Sequence, residues 1–310
     1  MSDSNLTTTQ QVASMWDLGC LTLKELGQRV WAGIDQNDLF GRASELAYNF
    51  ILALFPLLLF LVSLFGLFAS RGQSLNNNLM GYLAAVLPPS AFDLVNKTIR
   101  EVARNSGGGK VTFGIILTLW VASGGMSSMM STLNAAYSVK ESRSYIKVRT
   151  IALGLTIAVS LLVMAALGLV LLGGYLAEWA GSHLDLGTAA VLAWKVLQWP
   201  VALVFVVLSF SLIYYFGPDL KEQHWYWITP GSLVGVLVWV AASFAFRAYL
   251  HFFNTYSKTY GSLGAVIILL VWFYVTGFAF LIGGEINAQI EHAAAEHGHP
   301  EAKAPGQKAA

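Results

Sequence analysis

Six segments of this chain run for roughly twenty residues each with one charge among them, Arg247. They are Leu46–Phe68, Thr112–Ala135, Ile151–Leu172, Val196–Phe216, Ile228–Tyr249 and Leu263–Gly284. At a rise of about 1.5 Å per residue, an α-helix of that length matches the hydrocarbon thickness of a bilayer. Lipid offers no partner for backbone N–H and C=O groups, and a helix pairs them within one segment. The pattern therefore predicts an all-α polytopic membrane protein with six transmembrane helices. Composition agrees: 56% of the residues are hydrophobic and 11% charged, whereas soluble domains carry about a quarter charged residues.

The connections predict the rest of the organisation. Residues 1–44 read as a cytoplasmic segment with an amphipathic interfacial helix, because Leu23, Leu26, Val30 and Ile34 recur at helical spacing. Residues 45–290 form the membrane domain, and 291–310, rich in Ala, Glu, Lys, Gly and Pro, read as a disordered tail. A second amphipathic piece, PSAFDLVNKTIREVARN, places Phe92, Val95, Ile99 and Val102 on one side. No connection exceeds about 45 residues, which disfavours a separate soluble domain. The opening MSDSNLTTTQQ lacks the basic region and short apolar core of a cleaved leader, so insertion is expected to rely on the first span.

Orientation follows from Lys and Arg placement. With both termini cytoplasmic, ten basic residues lie inside and seven outside. The decisive stretch is KESRSYIKVR, Lys140–Arg149. A net charge of +1 gives no basic excess for nucleic acid. Cys20 is the only cysteine, which excludes an intramolecular disulfide and a multi-cysteine metal site.

Polar residues inside apolar segments are the candidate functional groups, because a charge in hydrocarbon costs at least about 2.5–3.5 kcal/mol. In ELAYNFILALFPLLLF, Glu45, Asn49 and Pro56 share a helical stripe, and Pro56 can kink the helix. In FLIGGEINAQIEH, Glu285 and Gln289 share a face, with Asn287 nearby. The predicted topology brings both stretches to one membrane face, so Glu45, Asn49, Glu285 and Asn287 are expected to form one polar cluster with Arg42 as counter-ion. That cluster reads either as a gate or proton-coupled site, or as interfacial packing. Arg247 reads as a snorkelling cation, or as a counter-charge or lipid-headgroup contact. Asn134 is expected to hydrogen-bond across helices. Gly231 and Gly235 form a GxxxG, and Gly124, Gly125 and Ser128 a second small-residue patch suited to close helix approach. Trp225, Tyr226 and Trp227 read as an aromatic interfacial belt. His292, His297 and His299 fall in the tail and read as solvated, not metal-binding. No P-loop, HExxH or GxSxG pattern occurs, and no cofactor site is readable.

Several of these stretches, in this order, resemble the YihY/BrkB family of bacterial integral membrane proteins. The resemblance covers Glu45–Glu291. It rests on ELAYNFILALFPLLLF, WVASGG with LNAAYSVKESRSYIKVR, YYFGPD with WYWITPGSLVGVLVWVAASFAFRAYLHFF, and TYGSLGAVIILLVWFYVTGFAFLIGGEINAQI. It implies a six-helix inner-membrane protein and supplies no established reaction. Family members have been linked to virulence and serum resistance, and some carry a ribonuclease label. This chain has no phosphodiesterase-like His and Asp cluster to match that label. Gly284 stands where the family usually has alanine. The function expected is transport or binding of a lipid-like or amphipathic substrate, with a membrane scaffold or envelope-assembly partner as the alternative. Expected partners are membrane lipids and copies of the same chain.

Overall fold

The computed structural model describes residues 15–53, 108–183, 188–221, 228–252, 262–299 and 302–308. Pro56, the Phe92–Val102 stretch and the Trp225–Trp227 belt lie outside them. Among the described residues there are helices and no strands. In chain order we label α1 (Leu23–Gln36), α2 (residues 39–53), α3 (Gly108–Ala136), α4 (Tyr145–His183), α5 (Thr188–Phe216), α6 (Pro230–Phe252) and α7 (Ser262–Glu296).

Helices α4, α5, α6 and α7 are long and apolar enough to cross a membrane. The first expected span falls mostly outside the described residues. The second lies in α3, which is 29 residues long and carries no charged residue after Lys110. Its second half carries Ser123, Ser127, Ser128, Ser131, Thr132 and Asn134.

The α4–α5 antiparallel pair and the α6–α7 pair make the most extensive contacts, and α7 also packs on α1 and α3. The α6–α7 approach is close because of glycine. A Cβ on Gly231 would collide with the carbonyl oxygen of Gly283, and one on Gly283 with that of Gly231. Tyr214 of α5 donates from its hydroxyl to the Phe280 carbonyl at 2.5 Å and closes the third side.

The buried core sits at one end of the bundle. It joins Leu26, Val30 and Ile34 of α1, Leu39 and Leu46 of α2, Met130 and Leu133 of α3, and Phe280 and Ile290 of α7. Helix α1 forms because Thr22 and Glu25 make a capping box: the Thr22 N–H reaches Glu25 Oε2 at 2.9 Å, and the Glu25 N–H reaches Thr22 Oγ1 at 3.3 Å. Its apolar stripe faces protein, not a membrane surface, and Leu23, expected on that stripe, is 78% exposed. Asp38, at φ 49°, turns the chain from α1 into α2 and accepts the Gly41 N–H at 3.1 Å.

The tail departs from the expected disorder. Helix α7 runs to Glu296, twelve residues past the expected end of the sixth span. His292 is buried, and residues 302–308 lie against the bundle with Ala302 and Lys303 buried. The reason is ionic pairing: Lys303 meets Glu291 at 3.4 Å, and Lys308 meets Asp219.

Candidate functional site

The polar residues singled out above, Arg247 apart, gather at the α1 end of the bundle, but in separate groups. Helix α7 supplies Glu285, which is completely buried. Asn37, just past α1, donates to its Oε2 at 3.0 Å, and Gln289 donates to its Oε1 at 2.8 Å. Gly33 makes this possible, since a Cβ there would overlap the Glu285 carboxyl group. Arg42 does not pair with the carboxylate. Its Nε donates to the Asn37 carbonyl at 2.9 Å, so it reaches Glu285 only through Asn37. Two amide donors hold this buried acid, with no cation within ion-pair reach among the described residues.

Glu45 and Asn49 form a second group, on α2 and α3. Ser128 Oγ donates to Glu45 Oε1 at 2.8 Å, and Asn49 Nδ2 donates to Ser128 Oγ at 2.9 Å. The helices meet here at Gly125, where an added Cβ would rest in ordinary contact with the Phe50 ring, at 3.5 Å. On α7 this level corresponds to Gly277, which abuts Leu46. Eight residues of helix, about 12 Å, separate it from Glu285.

Asn287 belongs to a third group, with a capping role. Its Oδ1 accepts the Gly231 N–H at 2.9 Å and its Nδ2 donates to Thr229 Oγ1 at 3.0 Å. It thus satisfies one of the N–H groups that the first turn of α6 leaves free. Arg247, on α6, is exposed.

A fourth polar node escapes a reading based on apolar segments, because it lies in the connections. Asp219 accepts from the Ser142 N–H at 2.8 Å, from Ser142 Oγ at 2.6 Å and from Lys308, and Arg143 lies 3.6 Å away. Asn134 accepts the Asp219 N–H at 2.6 Å and donates to Glu141 at 2.9 Å, so it bridges connections instead of two helices. Burial raises the Asp219 pKa, but Lys308 and the two Ser142 donors outweigh it and hold the carboxyl at about 2. Glu141 is likewise lowered: burial opposes, and bonds from Arg143 and Asn134 prevail. The signal for this node was the GPD sequence directly after a span.

Arg149 stacks over Trp120 at 4.4 Å and donates to its carbonyl at 2.5 Å. No group of three or more His, Cys, Asp or Glu among the described residues is placed to hold a metal. His292 instead sets its ring edge-on to Tyr137, with 6.1 Å between centroids.

Known proteins resemble this chain over most of its length. The YfkH protein of Bacillus subtilis (strain 168), which carries a ribonuclease-like name, is 34% identical over 266 residues, 86% of this chain and 94% of its own. A UPF0761 membrane protein of Haemophilus influenzae (strain 86-028NP) is 24% identical across 87% of this chain and 97% of its own. A UPF0761 membrane protein of Xanthomonas campestris pv. campestris (strain B100) is also 24% identical, and this chain spans 60% of its length. No solved structure matches. Residues 30–307 fit the profile of the family described as Virulence factor BrkB. With apolar helices fit to cross a bilayer and that match over nearly its whole length, the chain is a membrane protein of the Virulence factor BrkB family.

Proposed function

We propose that this protein binds or moves a lipid-like, amphipathic molecule along the side of its helix bundle. One observation carries the reading: Glu45 is exposed on α2, held by Ser128 at 2.8 Å, beside the exposed apolar side chains Tyr48 and Leu52. A charged group next to an apolar lateral face suits a molecule with a polar head and a greasy body. The four apolar helices support this further, since at most a third of each span is buried by the rest of the chain. The proposal includes six transmembrane helices, with α2 and α3 as the first two, in a bacterial inner membrane. Lys140, Arg143, Lys147 and Arg149 support cytoplasmic placement of the α1 end and of both termini.

The test is transbilayer movement of a fluorescent phospholipid analogue in proteoliposomes. The unaltered chain is expected to accelerate it, and Glu45→Gln to cut the rate at least tenfold while the protein still inserts. Unchanged movement in the variant would overturn the role of Glu45. A second reading, a membrane scaffold, is favoured by the way Glu285 and Asn287 spend their hydrogen bonds inside the protein. It predicts no lipid movement in either protein and a stable crosslinked partner.

A further inference from the structure

We propose that residues 302–308 form a releasable strap that clamps the α3–α4 and α5–α6 connections onto α7, through two lysines seated on two carboxylates. The strap touches each of these elements at a separate point. Lys303 reaches Glu291 of α7 at 3.4 Å, with its side chain only 3% exposed. The Gly306 N–H donates to the Tyr137 carbonyl, at the end of α3, at 3.2 Å. Lys308 reaches Asp219, after α5. Asp219 in turn holds Ser142 of the α3–α4 connection by two hydrogen bonds.

The strap's own shape is local. The Gln307 N–H meets the Ala304 carbonyl at 3.0 Å, the Ala304 N–H meets Gln307 Oε1 at 3.0 Å, and Gly306 sits at φ 82°, where glycine is favoured. It therefore carries its turn with it and needs no partner helix to keep it. Among the described residues its attachment is two lysines on carboxylates, two backbone hydrogen bonds (the Gly306 N–H to the Tyr137 carbonyl and the Lys221 N–H to the Lys308 carbonyl) and the buried Ala302. Such an attachment is strong when both charges seat and is lost when they do not. Without it, the carboxylates of Glu291 and Asp219 lack their lysine partners, and the start of the α3–α4 connection loses the Gly306 hydrogen bond at Tyr137 and keeps its direct bonds to Asp219 and Gly217. Movement of the strap thus reports to three helices at the end where the polar groups gather.

The test is limited trypsin digestion of the full chain in detergent. Cleavage after exposed Lys140, in the α3–α4 connection, is read against cleavage after exposed Lys24 in α1. Lys303→Glu with Lys308→Glu drives the strap off by repulsion and leaves its seat unaltered. The ratio of Lys140 to Lys24 cleavage is expected to rise at least fivefold. A synthetic peptide of residues 302–308, AKAPGQK, with both lysines dimethylated so that they keep their charge and resist trypsin, should lower it again in the double variant and change nothing in the unaltered chain. The milder Lys308→Gln should raise the ratio about twofold. An unchanged ratio in both variants would overturn the proposal. So would a rise at both sites together that the peptide does not reverse, because that marks general unfolding.

Discussion

Glu285 is the clearest case of a single side chain that had to be placed before it could be understood. A buried acid needs partners, and its partners are Asn37 and Gln289, not Arg42, the counter-ion expected for the cluster. Asp219 is the contrasting case, because its partners include a cation outside the membrane-crossing helices. Its folded pKa of about 2 lies below the ordinary value of about 3.9. A carboxyl depressed on folding contributes stability above its unfolded pKa, and that stability is lost as pH falls towards the folded value. Thermal unfolding in detergent should therefore show about 2 kcal/mol of stability disappearing between roughly pH 4 and pH 2. Asp219→Asn should remove that portion of the acid dependence and lower the melting temperature at pH 7. An identical acid profile in the variant would show that Asp219 is not its source.

At the level of elements, much was legible in sequence. The third to sixth spans were expected where α4 to α7 lie, because long uncharged runs have few alternatives. Their ends were not legible: α4 and α7 are 39 and 35 residues long, and helix continues wherever the local sequence permits, whether lipid or water surrounds it. The α1 stripe was legible as amphipathic, but whether its apolar face meets lipid or protein is decided by Gly33 and Gly19, which bring it onto α7. The expected single cluster divided for a similar reason. Sequence places Glu45 and Glu285 at one end, but the register of α2 on α7, fixed by Gly277, keeps them apart. Asn287 is the element-scale consequence, as the cap of α6. Asn287→Ala should cost about 1–2 kcal/mol and raise hydrogen exchange in the first turn of α6 above that elsewhere. Protection unchanged at Gly231 and Ser232 would remove the capping role.

For the whole molecule, Cys20 is a natural reporter: it is the chain's sole thiol, and it is exposed at the end of the bundle that holds the polar groups. A membrane-impermeant maleimide should leave it unlabelled in intact cells and label it once the inner membrane is opened. Labelling of intact cells would reverse the orientation proposed above. Whatever that orientation, the crossing of α6 over α7 limits how the bundle can deform. Where two peptide backbones touch at Gly231 and Gly283, no side chain remains to act as a bearing for translation along the helix axes. Sliding would drive neighbouring side chains into each other, whereas rotation about the contact leaves it intact. The two rods can scissor about that rivet, and relative motion of α6 and α7 is a turn around it.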